Sequence, residues 1–335
     1  MVKPTLHASS ASPLTTTVPE IILPVEVRSV SDTTELRFPW HDSEPWSGWQ
    51  APQEQVASVE DIWITSNDGR PVRLRIYRPA PSTDELLPVL IYVHGLGWSK
   101  DILDLYDSPC KTLANSSGYV TISVEHRSAP QHRFPKQLED VLSAIQWAFE
   151  HAGTWGFNTA KIAVGGDGIG AALASASALT FRQSGINLLA HQILLFPMLD
   201  SLCNAPSYME LSNGYLISRS QMQSLWDIYL PDSQSGKSMY ASPIHAEDLR
   251  NLPTSTIVTG EFDPARDDGE IYSSRLNSQG VESQLIRLPN AVHGYLHLTG
   301  AIPAAFNAVN VIGAMLRSTG EKGRPDRRIP IHRAG

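Results

Sequence analysis

Cysteine is scarce. Cys110 and Cys203 are too few for a disulfide framework and lack metal-ligand spacing, so both read as small buried apolar residues, and nothing requires an oxidising compartment. Long hydrophobic runs are also missing: no stretch approaches the roughly 18 consecutive apolar residues of a membrane span. The first residues, MVKPTLHASSASPLTTTVPE, place proline and polar residues where a signal peptide needs an uninterrupted apolar core, so the expectation is a cytoplasmic protein. Basic charge is in deficit, with 26 Lys and Arg against 34 Asp and Glu, and no Lys or Arg run interleaves with aromatics; nucleic acid is not an expected partner. No dinucleotide fingerprint stands in a strand–turn–helix context, and there is no P-loop and no His or Cys cluster, so neither cofactor nor metal is expected. No internal repeat is visible. Oligomeric state leaves no mark in the sequence.

What the chain does have is apolar residues, 41% of 335, enough for one large α/β domain or a domain plus a cap. Two period-2 runs at 61–66 and 72–78 flank the turn signal Asn67-Asp68-Gly69 and predict a hairpin. A buried strand follows at 87–93, then a helix over 101–115, a strand at 119–125 and a helix over 135–150 with apolar spacing at Leu138, Val141, Ile145 and Ala148. The alternation continues with strand 161–164, helix 169–182, strands 192–196 and 256–259, helix 265–278, strand 284–287 and a last helix over 303–316. That order implies a mostly parallel central sheet with helices on both faces. Two stretches depart from it. Residues 1–55 are rich in Pro, Ser and Thr and carry Trp40, Trp46 and Trp49, while 200–240 hold one helix, 218–230, stopped by Pro231; both read as cap material around a main domain at 56–320. Residues 321–335, with five Lys or Arg among Gly and Pro, read as a flexible tail.

The stretch VGGDGIGAALA at 164–174 follows an apolar strand-like run and opens a small-residue helix. A strand that turns straight into a helix presents one side chain at the strand's carboxyl end, and small neighbours give it clearance. Such nucleophile elbows read G-x-S-x-G. Gly166-Asp167-Gly168-Ile169-Gly170 meets that pattern at every position except the serine, and a glycine-rich turn with no chemistry would look the same. Three further stretches follow predicted strands. His94-Gly95-Leu96-Gly97-Trp98 can point successive backbone N–H groups at a substrate oxygen, as an oxyanion hole requires. Asp263, in Glu261-Phe262-Asp263-Pro264, reads alone as a helix cap, and His293, in His293-Gly294-Tyr295, reads alone as a loop histidine. All four together, in the order nucleophile, acid, histidine, are the order of an α/β-hydrolase.

The set HGLGW, EHRSAPQHRFP, GGDGIG, EFDPARDDG and VHGY resembles the hormone-sensitive-lipase-like (carboxylesterase-like) branch of α/β-hydrolases, whose members usually read HGGGW or HGGGF, YRLAPEHPFP, GDSAGG, DPLRDEG and HGF. The resemblance runs over residues 61–316. It implies an α/β-hydrolase fold with Gly168 at the nucleophile position, Asp263 and His293 as the acid and histidine of the triad, and the backbone N–H groups of Leu96, Gly97 and Ile169 as oxyanion donors. Three departures cluster there: Gly168 removes the nucleophile, Leu96 stands where a glycine usually keeps the hole clear, and Ile169 replaces a usual alanine.

Without a hydroxyl no acyl-enzyme forms, so ordinary serine esterase activity is not expected. A histidine oriented by an aspartate remains a base, and an oxyanion hole still stabilises an enolate, alkoxide or tetrahedral anion. Three readings follow. His293 abstracts a proton from an apolar carbonyl- or ester-bearing small molecule, or activates water, giving cyclisation, elimination or direct hydrolysis of the kind met in small-molecule biosynthesis. Alternatively, the chain is a serine carboxylesterase whose nucleophile was replaced at Gly168, or a non-catalytic small-molecule binder. A pure binder has no chemical need for Asp263 and His293 together. Trp98, Tyr208, Met209 and Tyr215 are candidate pocket residues, with ordinary packing between cap and sheet as the other reading.

Overall fold

The turn at Asn67-Asp68-Gly69 closes a hairpin because Gly69 takes the left-handed conformation, φ 81°. In the computed structural model, which describes residues 50, 52–80, 86–95, 102–213, 215–300 and 303–321, β1 (Ser58–Thr65) and β2 (Pro71–Arg78) pair antiparallel, with Ser58 opposite Arg78. β2 pairs antiparallel with β4 (Val120–Glu125), and every later neighbour is parallel. The remaining strands are β3 (Leu87–Val93), β5 (Phe157–Asp167), β6 (His191–Leu195), β7 (Thr254–Phe262) and β8 (Ser283–Val292). They form one sheet in the order β1-β2-β4-β3-β5-β6-β7-β8. The central β6, HQILL, is buried at every position, as a strand covered on both faces must be.

The helices among the described residues are α1 (Ile102–Leu105), α2 (Asp107–Ser117), α3 (Lys136–Glu150), α4 (Ala152–Trp155), α5 (Ile169–Gln183), α6 (Pro206–Glu210), α7 (Arg219–Tyr229), α8 (Arg266–Ser278) and α9 (Pro303–Glu321). α5 is the innermost. Its residues from Ile169 to Leu179 are all buried, and Gly170, Ala171, Ala172 and Ala174 let it lie close on β5 and β6 with α3 alongside.

Several expected boundaries move, each for a physical reason. The single helix expected over 101–115 breaks at Tyr106 (φ −92°, ψ 0°), whose hydroxyl reaches inward to Asp167. β5 runs well past the expected 161–164, because Gly165 and Gly166 lie in the strand where neighbouring backbone leaves no room for a Cβ. β8 continues through Pro289, which an edge strand tolerates because that side of its ladder is unpaired. The helix expected over 218–230 is α7, started by Ser218 in a capping box with Gln221. Both cysteines are free and fully buried, and burial pushes the Cys203 thiol up to about 12. Residues 1–49 and 51 of the expected amino-terminal cap, and 322–335 of the expected tail, lie outside the described residues.

Candidate active site

β5 ends at Asp167, and the chain enters α5 through one residue, Gly168, with φ 53° and ψ −120°. That backbone conformation suits glycine and strains any L residue. The turn is held at both ends: Gly168 N–H donates to the Leu195 carbonyl at 3.0 Å, and Met198 N–H donates to the Gly168 carbonyl at 3.1 Å. The flanking glycines serve a different purpose. A Cβ on Gly166 would lie 2.3 Å from the Val93 carbonyl oxygen, and one on Gly170 would lie 2.1 Å from the same atom. A Cβ on Gly168 would meet His293 Nε2 at 3.5 Å and Gly95 Cα at 4.0 Å, ordinary contact distances among the described residues.

Asp263 and His293 come from the carboxyl ends of β7 and β8, adjacent strands in the sheet. Asp263 is completely buried and accepts the Ala265 N–H at 2.8 Å, a turn contact ahead of α8, whose N-cap is Ala265 with no side-chain cap, so the helix cap read from sequence is not formed. It also takes His293: Nδ1 lies 3.0 Å from both carboxylate oxygens. That contact places the imidazole proton on Nδ1 and leaves the Nε2 lone pair facing Gly168.

A second buried carboxylate lies under the turn. Asp167 accepts the hydroxyls of Tyr92 and Tyr106, both at 2.8 Å, and the Gly95 N–H at 3.1 Å. Burial pushes its carboxyl up to about 6 while those donors pull it back. Gly95 fits against it only as glycine, since a Cβ there would lie 2.2 Å from the Asp167 carbonyl oxygen. Beside it His94 stacks on His126 with ring centroids 4.1 Å apart, and burial holds the His94 imidazole well below its ordinary range. His126 Nε2 lies 3.3 Å from the His94 carbonyl, so the backbone entering the glycine-rich segment is tied to β4's end. Sequence reasoning missed Asp167, although its place inside G-D-G-I-G was a usable signal.

This assembly, an eight-stranded mostly parallel sheet with a strained strand-to-helix turn facing an Asp–His pair, accompanies a direct match: a family model for the alpha/beta hydrolase fold covers residues 90–297. The chain belongs to the α/β-hydrolase family. Among the relatives of this hydrolase-family chain, carboxylesterase NlhH of Mycobacterium tuberculosis is 32% identical over 240 residues, 71% of this chain and 75% of the relative. An ethyl acetate hydrolase of Pseudomonas putida is 30% identical over 250 residues, 74% of this chain and 78% of the relative. The solved structure of a hyperthermophilic esterase from Pyrobaculum calidifontis superposes with a TM-score of 0.75 at 36% identity, over 79% of this chain and 84% of that one.

Of the site residues expected for this α/β-hydrolase, the structure brings Gly168, Asp263 and His293 together. Ile169 opens α5, where N–H groups have no intrahelical acceptor. Leu96, Gly97 and Trp98 lie outside the described residues, as do Trp40, Trp46 and Trp49. Tyr208, read as either a pocket or a packing residue, is fully buried with its hydroxyl donated to Asp268 at 3.0 Å: the apolar ring packs inside while the buried carboxylate claims its polar end. Met209 is exposed. Tyr215 stacks on Phe262 at 5.1 Å, next in the chain to Asp263. Among the described residues no His, Cys, Asp and Glu grouping of metal-binding form occurs, and no helix is long and apolar enough to cross a membrane.

Proposed function

We propose that this α/β-hydrolase acts on an apolar small molecule bearing an ester or carbonyl group, with His293 as a general base and no covalent acyl-enzyme. Asp263 holds the imidazole through Nδ1, so Nε2 accepts a proton from water or from an acidic position of the substrate. The oxygen that gains charge is stabilised by backbone N–H donors, Ile169 at the start of α5 and, by the family resemblance, Leu96 and Gly97. The imidazolium then returns its proton to the leaving group or to the rearranged product. Direct hydrolysis, elimination and cyclisation all follow this course. Tyr215 and the 200–240 stretch supply the cap side of the pocket in this reading.

One observation carries the reading: an Asp–His pair aims Nε2 at a turn residue that has no side chain, 3.5 Å from where a Cβ would lie. A second reading, a serine carboxylesterase altered at Gly168, is favoured by the same clearance, since a Cβ there meets only ordinary contact distances among the described residues.

The test compares the protein with its Gly168→Ser and His293→Ala variants on short p-nitrophenyl esters and on a panel of carbonyl metabolites. The base mechanism expects turnover of at least one metabolite that drops by about 10²–10⁴-fold in His293→Ala. Serine adding little to that turnover supports it further. No metabolite turnover, together with strong ester cleavage by Gly168→Ser, would move the assignment to the altered esterase or to a binder.

A further inference from the structure

The two carboxylate oxygens of Asp263 are equidistant from His293 Nδ1, both at 3.0 Å. A contact so symmetric anchors one nitrogen but leaves the imidazole free to pivot about it, and a pivot carries Nε2 away from Gly168. Something else must fix the ring. The end of β6 supplies it. Phe196, the residue after Leu195, is 1% exposed, and its ring lies 4.9 Å from the His293 ring at 68° and 4.9 Å from the Tyr295 ring at 72°. Wedged between these two, it closes one side of the imidazole.

Phe196 also holds a backbone conformation that its type avoids. Its φ is 34°, in the left-handed region where a bulky residue is a true outlier, and its N–H donates to the Val258 carbonyl at 2.6 Å. The same short span grips the turn, through the Leu195 carbonyl and the Met198 N–H, both bonded to Gly168. One segment, 195–198, thus touches both Gly168 and the ring facing it. Strain of this kind persists where the surroundings over-determine it, and it clusters at sites where geometry matters.

We infer that Phe196 is a positioning residue: its ring sets the orientation of the His293 imidazole, and its strained backbone holds that ring in register with Gly168. The inference rests on His293 being the base. It gives the end of β6 a part in the site that the sequence motifs do not assign.

The test uses the full chain labelled with ¹⁵N, with the His293 ring signals identified by their loss in His293→Ala. The variants are Phe196→Gly, Phe196→Leu and Phe196→Tyr. Glycine removes the ring at a φ it adopts without strain, so it guards against a leucine variant that fails to fold. The expected result is one Nδ1–H tautomer in the protein and in Phe196→Tyr, and averaged ring shifts in Phe196→Gly and Phe196→Leu with the circular dichroism unchanged. In the Gly168→Ser background, Phe196→Gly should lower kcat on p-nitrophenyl acetate by about tenfold or more while KM stays within about twofold, because misplacement of a reacting group acts on the transition state. A Phe196→Gly protein whose His293 ring signals match the parent would overturn the inference. The ring signals need no turnover, so that outcome is separate from failure of the base assignment, which shows as metabolite turnover surviving His293→Ala.

Discussion

Gly166 and Gly170 are glycines because of space, whereas Gly168 is one in spite of it. A Cβ at either flanking position would press into the Val93 carbonyl. Gly170→Ala should therefore cost about 3 kcal/mol, the upper end of the usual range for a core forced to overpack, and chemical denaturation measures it. Gly168→Ser meets no such wall. Its cost comes from φ 53° alone, about 1–2 kcal/mol, so the variant should stay folded with a lower denaturation midpoint. A Gly168→Ser protein as stable as the parent would show that the turn relaxes. At this scale the sequence displayed most of the site. Gly168, Asp263 and His293 were legible because each follows a strand and their order is fixed by the fold. Phe196 was not, since an aromatic residue ending an apolar strand looks like any core residue until its φ and its neighbours are known. Tyr208 stayed open between pocket lining and packing for the converse reason: a tyrosine in a cap-like stretch gives no sign that Asp268 holds it inside.

α7 shows what local chemistry contributes to an element. Ser218 Oγ accepts the Gln221 N–H while the Gln221 side chain accepts the Ser218 N–H, so two orphan donors at the helix start are satisfied reciprocally. Ser218→Ala should cost about 1 kcal/mol, read as a lowered thermal midpoint. No change would mean that α7 is held by packing through Met222, Trp226 and Tyr229 alone. Pro231 at the far end made this helix legible to within one residue, while the Ser218–Gln221 signal at its start was present in the sequence and went unused. Strands were harder. β5 and β8 are longer than their apolar runs because Gly165, Gly166 and Pro289 are read as breakers, and only tertiary placement turns a breaker into a strand residue. The break at Tyr106 was hidden likewise, since a hydroxyl drawn to Asp167 leaves the helical period of 102–117 undisturbed.

Across the whole molecule, buried ionisable groups set how stability changes with pH. Burial pushes the Asp268 carboxyl up to about 8, partly offset by the Leu199 N–H and the Tyr208 hydroxyl, while Asp167 is raised to about 6. The unfolded chain releases both protons near the ordinary carboxylate value. In the window between that value and the folded one, the folded state binds more protons and stability falls as pH rises. Four imidazoles act the other way: burial lowers His191 to about 4, His297 to about 3, His94 well below its ordinary range and His126 below it, so stability climbs with pH until the unfolded histidines stop titrating near 6.5. Below about pH 6 the four histidines outweigh the two carboxylates and stability rises with pH, whereas between roughly 6.5 and 8 the slope comes from Asp268. Denaturation midpoints should fall over that interval in the protein and stay level in Asp268→Asn. A fall of equal size in both would remove Asp268 as its source.

The open contact distance at Gly168 has a consequence for heredity. Glycine codons GGT and GGC lie a single base change from the serine codons AGT and AGC, and among the described residues a Cβ at this position meets only ordinary contact distances. A lineage that spells this glycine GGT or GGC therefore stands one mutational step from a serine at the turn facing His293, and a population of it selected for growth on a simple ester would sample that step early.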